Sequence, residues 1–258
     1  MELTETIELI AWPIGAGLLV LVTHLPLGVQ VLRRGIVFID LAIAQIAAIG
    51  VMSGGLLFGS DSATTLHGLI FALGGAGLIA ALTRFWPEQR EALIGLLYVG
   101  AAAASILAIS ADPHGALRLK TLLAGDVLWV TPGLLGPLAL ATVLFIGLVW
   151  MRPKWLGHDG VFYPVFAVLV SLSLPILGVY LVFATLIAPA LAGACRARHA
   201  PPGPRAELAP WQGWLTGGCG FIGGLLLAVQ LDLPAGPTVV VTLVTLALGL
   251  RIFESVVD

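Results

Sequence analysis

The sequence is poor in charge and has almost no lysine: 10% of its 258 residues are charged, and Lys120 and Lys154 are its only lysines. That scarcity excludes an ordinary soluble surface, of which roughly a quarter or more is charged side chains. It also excludes ATP hydrolysis by this chain itself. A phosphate loop ends in Gly-Lys-Ser/Thr so that backbone amides and the lysine hold the phosphates, whereas the two lysines here follow Leu119 and Pro153. With a net charge of -2 and no basic stripe, nucleic acid is excluded as a partner. The two cysteines, Cys195 and Cys219, form no CxxC pair and lack a histidine at zinc-finger spacing, so they read as small apolar packing residues. There is no HExxH and no GxSxG, and Gly125-Asp126 lacks a second intramembrane aspartate to make a protease dyad. The chain is therefore read as a non-enzyme with no covalently bound cofactor.

Apolar residues make up 59% of the sequence, and its mean hydropathy is +1.06. Its 32 glycines and 16 prolines are spread through apolar stretches, as expected of helices that approach closely in a bilayer. The fold class is all-α, a polytopic membrane helix bundle forming one domain over residues 1–258. The opening MELTETIELIAWPIG lacks the basic start of a secretory signal and reads as the beginning of the mature chain. A span needs about 20 apolar residues, which gives segments near 7–30, 36–59, 66–83, 92–110, 131–151, 161–176, 178–194, 210–231 and 237–251. The pair on either side of Pro175 and Gly178 is short, so the count is eight or nine. With the N-terminus outside and nine crossings, Arg33, Arg34, Arg84, Arg90, Arg152, Lys154, Arg196, Arg198, Arg205 and Arg251 face the cytoplasm. Only Arg118 and Lys120 oppose them, which favours an N-out, C-in orientation. Residues 111–126 read as a short helix lying on the outer surface.

Polar residues inside such spans are costly unless they face protein, water or a cation. His24, Gln30, Asp40, Gln45, Glu91, Asp126 and Asp232 lie within or near the spans and are read as facing protein or a wet cavity. In a helix beginning near Arg34, Asp40 lies about 9 Å and Gln45 about 16 Å inward, and the two are separated by roughly 140° around the axis. His24, on the preceding span, reaches a depth similar to that of Gln45, along a path that Pro26 and Gly28 make irregular. The two can meet across a helix pair. Imidazole and carboxylate suit transition metals, and an amide is a weaker ligand. His24 reads equally as a buried ring bonded to a carbonyl, Gln45 as an interhelical hydrogen bonder, and Asp40 as an ion-pair partner of Arg33 or Arg34. His67, His114, His158 and His199 fall in loops or at helix ends.

RRGIVFIDLAIAQIAAIG (33–50), REALIGLLYVGAAAASIL (90–107), LLAGDVLWV (122–130), LGVYLVFATLIAPALAG (177–193) and LDLPAGPTVVV (231–241) occur in that order. Together they resemble the permease subunits of zinc and manganese ATP-binding-cassette importers. The resemblance implies a multi-pass protein of the cytoplasmic membrane that moves a divalent metal ion (zinc, manganese or iron). It further implies a homodimer, a cytoplasmic ATP-binding subunit that alone handles ATP, an extracytoplasmic metal-binding protein, and membrane lipid as surroundings. Where the family commonly has Gly-Asp-x-x-x-His, this chain has Asp40, Leu41 and Gln45. His24, Asp40 and Gln45 are therefore the candidate substrate path, with His24 and Asp40 as metal ligands. The stretch 151–164 is shorter than the family's docking segment, yet Arg152, Lys154, Trp155, His158 and Asp159 make it the candidate ATPase docking surface; 84–91 and 196–208 are the other internal loops. The rival reading is an ATPase-independent secondary transporter or channel for a small ion or solute.

Overall fold

The computed structural model describes residues 3–58, 61–109, 123, 125, 127–197 and 211–257. Among the described residues, eight long helices follow one another: α1 (Leu3–Arg34), α2 (Ile39–Phe58), α3 (Asp61–Phe85), α4 (Arg90–Ile109), α5 (Pro132–Met151), α6 (Asp159–Ala197), α7 (Trp211–Gln230) and α8 (Ala235–Val257). Short 3-10 turns at Pro87–Gln89, Val127–Trp129 and Pro153–Gly157 connect them. Among the described residues, seven helices are long and apolar enough to cross a membrane, and Ile39–Gly54 is apolar but shorter. This is an all-α polytopic bundle. The short outer helix expected at 111–126, with His114, Arg118, Lys120 and Asp126, falls outside the described residues except at 123 and 125, and His199 and the 196–208 loop fall almost wholly outside them.

Helix α6 is the centre, with 72% of its apolar stretch buried, against 17–22% for α4, α5 and α8. It packs on α1, α2, α3, α5, α7 and α8. The expected windows 161–176 and 178–194 are its two arms, and the break lies at Gly178 (φ 72°, ψ 165°), whereas Pro164, Pro175 and Pro189 stay within helical turns. A straight helix would put residues 162 and 186 about 36 Å apart, while six residues of α1 span only about 9 Å. Yet Arg34 of α1 lies over Phe162, and Gly28 abuts Leu186 and Ala190. The arms therefore bend sharply toward each other. Only glycine takes this backbone conformation without strain. Gly125 (φ 69°) presses on the carbonyl of Leu177 at the same bend, so a side chain there would collide with α6 backbone.

The glycines of α7 admit two neighbouring helices. Gly213, Gly217 and Phe221 meet Leu25, Leu21 and Gly17 of α1, an antiparallel ladder stepping one turn at a time. Gly220 and Gly224 meet Leu243 and Val239 of α8. In lipid, where no hydrophobic drive separates helix from helix, this close approach supplies the dispersion that holds the bundle. The small-residue run of α3 is divided, for Gly75 abuts Ile46 of α2. Gly74, Gly77 and Gly100 meet no atom that a Cβ would touch, and Gly74 and Gly100 open onto an apolar groove of about 570 Å³ between α3 and α4.

Helix ends explain two other sequence features. Gly35 (φ 64°) ends α1, with the amide of Ile36 bonded to Val31 O and that of Gly35 to Leu32 O, the doubly bonded left-handed cap of a helix C-terminus. Asp232 (φ 52°) takes the same place after α7, with Leu233 N–H on Ala228 O. Asp232 is thus an exposed turn residue, not a group within a span.

Candidate functional site

His24 sits in the middle of α1, fully buried. The helix runs on through Pro26 and Gly28 instead of becoming irregular there. His24 shares a face with Gly28, one turn away, and that face presses on the second arm of α6. Its Nδ1 lies 3.1 Å from Val20 O and 3.0 Å from Thr23 Oγ1, and the Thr23 hydroxyl itself donates to Val20 O. With the ring proton on Nδ1 donated to that carbonyl, Nε2 carries a lone pair, and it is buried with no hydrogen-bond partner. A carbonyl holding one ring nitrogen while the other faces inward is the arrangement of a metal-ligating histidine.

Asp40 occupies the first turn of α2 and is 1% exposed. A carboxylate is favourable there because the unpaired amides at a helix start carry partial positive charge. Asp40 Oδ1 is buried with no hydrogen-bond partner. Of the two ion pairs the sequence suggests for Asp40, with Arg33 or with Arg34, the one with Arg34 does not form, since that guanidinium faces Asp159. Gln45 lies further along α2, 4% exposed.

Helices α1 and α2 both pack on α6, and among the described residues they do not form an extended pair with each other. The direct meeting of His24 with Gln45 across a helix pair, expected from their depth, therefore gives way to two helices facing a common third. Among the described residues no three His, Cys, Asp or Glu side chains cluster as a metal site would require. Among the described residues, buried acceptor atoms without a hydrogen-bond partner include His24 Nε2 on α1, Asp40 Oδ1 on α2 and Glu91 Oε2 at the start of α4.

Gln30 and one carboxylate oxygen of Glu91 have local partners, while Glu91 Oε2 is buried without one. Gln30 accepts from Arg34, and Glu91 accepts from the Phe38 amide at 3.4 Å, tying the start of α4 to the start of α2. The loop between α5 and α6 turns outward. Arg152, Lys154, Trp155, His158 and Asp159 are exposed, while Leu156 is 3% exposed and anchors the turn. Arg152 stacks over Trp155 at 5.6 Å, and His158 Nδ1 sits 3.2 Å from Lys154 O. This is a short, rigid, basic-aromatic knuckle at one end of the bundle. The 84–89 segment at the end of α3 is exposed as well. Sequence reasoning placed Arg34 on the same side as this loop but missed its bonds to Leu156 O and Gly157 O, because those partners lie more than a hundred residues away.

Residues 6–158 and 157–254 match the model of a family described as the ABC 3 transport family. No curated protein matches the chain. A solved structure, PsaBC from Streptococcus pneumoniae in complex with Fab, is similar over 96% of this chain and 95% of that one, with a TM-score of 0.75 and 18% identity. At that identity the likeness speaks for the fold.

Proposed function

The chain belongs to the ABC 3 transport family, and from that premise we propose that it is the permease subunit of an ATP-binding-cassette importer moving a divalent metal ion across the cytoplasmic membrane. The observation that carries this reading is the family match along nearly the whole chain, joined to a sequence without any phosphate loop. ATP binding and hydrolysis belong to a cognate ATPase subunit, and an extracytoplasmic protein delivers the ion. The permease then contributes differential contacts: the ion favours whichever arrangement of helices holds it better, and the motor shifts that balance.

We assign His24, Asp40 and Gln45 to the path. Nε2 of His24 and Oδ1 of Asp40 are acceptors with no competing donor, so a cation reaching them offsets a desolvation cost already incurred by burial. Their ligand chemistry suits zinc, manganese or iron. The exposed knuckle at 152–159 is the docking surface for the ATPase. We further assign nine crossings with the N-terminus outside. In support, Arg34, Glu91 and the 152–159 loop are joined by direct contacts or through the short 34–38 connection, so these basic ends share one side. The bend at Gly178 counts α6 twice. A homodimer in lipid is the assembly, with the apolar outer faces of α4, α5 and α8 available to lipid or to the second copy.

The test is uptake of zinc and manganese by the full complex in vesicles. His24→Ala and Asp40→Asn are each expected to lower uptake by about tenfold or more, and Gln45→Ala by less, if a lost contact contributes about 1.4 kcal/mol or more. Unchanged uptake in all three variants removes these residues from the path. Sustained accumulation by the permease without its ATPase subunit overturns the importer reading.

A further inference from the structure

Arg34 is the last residue of α1, at a membrane edge where an arginine ordinarily extends its stem and leaves its head in water or among headgroups. Here its side chain is only 12% exposed and is shared among three elements. Nη1 donates to Gln30 Oε1 at 2.9 Å, one turn back in α1. Nη2 donates to Leu156 O and to Gly157 O, both at 3.0 Å, the final carbonyls of the Pro153–Gly157 turn. Nε faces Asp159 Oδ1 at 3.4 Å in the first turn of α6. The guanidinium lies 4.1 Å above the ring of Phe162, which is itself fully buried.

The charge pair is the weakest of these contacts, since Asp159 is 68% exposed and water competes for it. The two carbonyls and the aromatic face do most of the holding, because a planar fork with fixed donor directions can serve several acceptors and a ring at once. Lysine, a point charge with no plane, cannot reproduce this set. The Pro153–Gly157 turn packs on α5 and α6, and Arg34 adds two hydrogen bonds that tie it to α1.

We propose that Arg34 is a positioning residue that couples the docking loop to the helix carrying His24. Displacement of the 152–159 knuckle by the ATPase subunit moves the end of α1 and the start of α6 together, because one guanidinium grips both. This rests on the docking and path assignments above.

The experiment reconstitutes the full complex in vesicles and measures zinc or manganese uptake and ATP hydrolysis side by side. Arg34→Met keeps the stem and removes the fork, and Arg34→Lys keeps the charge. For both, uptake per ATP is expected to fall about tenfold while hydrolysis stays within about twofold of the parent, the size of a typical coupling between sites. Arg33→Met, which removes a neighbouring exposed charge, is expected to keep the parental ratio. Uptake and hydrolysis falling in proportion, or Arg34→Lys matching the parent, overturns the proposal. If Arg34→Met fails to assemble, the lysine variant decides alone. A parent complex that hydrolyses ATP but takes up neither metal defeats the transport reading before any substitution is made, and this proposal with it.

Discussion

At the scale of single residues, the interior polar groups divide by whether they have a partner. Tyr163 and Thr83 are 4% and 3% exposed, and their oxygens lie 3.1 Å apart. The Thr83 hydroxyl already donates to Ile79 O at 2.8 Å, so Tyr163 is the donor between them. Tyr163→Phe removes that bond and leaves the ring, and is expected to cost about 0.5–1.5 kcal/mol, read as a small drop in detergent melting temperature. A fall of several kcal/mol there would mean that the hydroxyl does more than join α3 to α6. His24 and Asp40 belong to the other class, buried with an atom left over. The sequence made both candidates visible because each interrupts an apolar run. It could not show that Nδ1 of His24 is bonded to Val20 O, nor that Arg34 points away from Asp40. Those facts depend on which distant segment folds against each helix end.

At the scale of elements, glycine placement was legible as a class and illegible one residue at a time. The cluster in α7 reads as packing, and the structure separates it by face. A Cβ on Gly224 would lie 2.6 Å from the Cα of Val239, whereas one on Gly218 meets nothing. Gly224→Ala is therefore expected to destabilise by about 1–3 kcal/mol, since backbone must move to admit it. Gly218→Ala is expected to be neutral or to stabilise by up to about 1 kcal/mol through lower backbone entropy in the unfolded chain. Equal melting temperatures for the two variants would contradict the close approach of α7 and α8 at Gly224. The small-residue run in α3 is divided, since Gly75 packs against Ile46 of α2 while Gly74, with Gly100 of α4, lines a groove. A run of small residues records only that room exists, and the larger neighbours on adjoining helices decide whether it is filled. The break in α6 was legible because Gly178 and Pro175 stand together, but proline could be told from glycine as its cause only from the backbone angles.

At the scale of the whole molecule, the all-α membrane class followed from hydropathy alone, while the path of the chain depends on the bend at Gly178. With nine crossings, Asp232 lies outside and Trp155 inside; with α6 as one straight crossing, both lie inside. In a chain with Cys195→Ser and Cys219→Ser, Trp155→Cys should react with an impermeant maleimide only from the cytoplasmic side. Asp232→Cys should react only from the opposite side, and labelling of both from the same side would refute the fold-back as a double crossing. The neighbours of α1 carry a further consequence, for the order of assembly. Its extensive contacts are all with segments from Val127 onward, in α5, α6, α7 and the Val127–Trp129 turn. During synthesis at ~5–20 residues per second, the first helix must wait roughly 5–20 seconds for any of them to emerge. A helix made before all of its extensive partners is thus slow to find its place, and a chaperone or insertase that shelters His24 in the interval has a physical reason to exist.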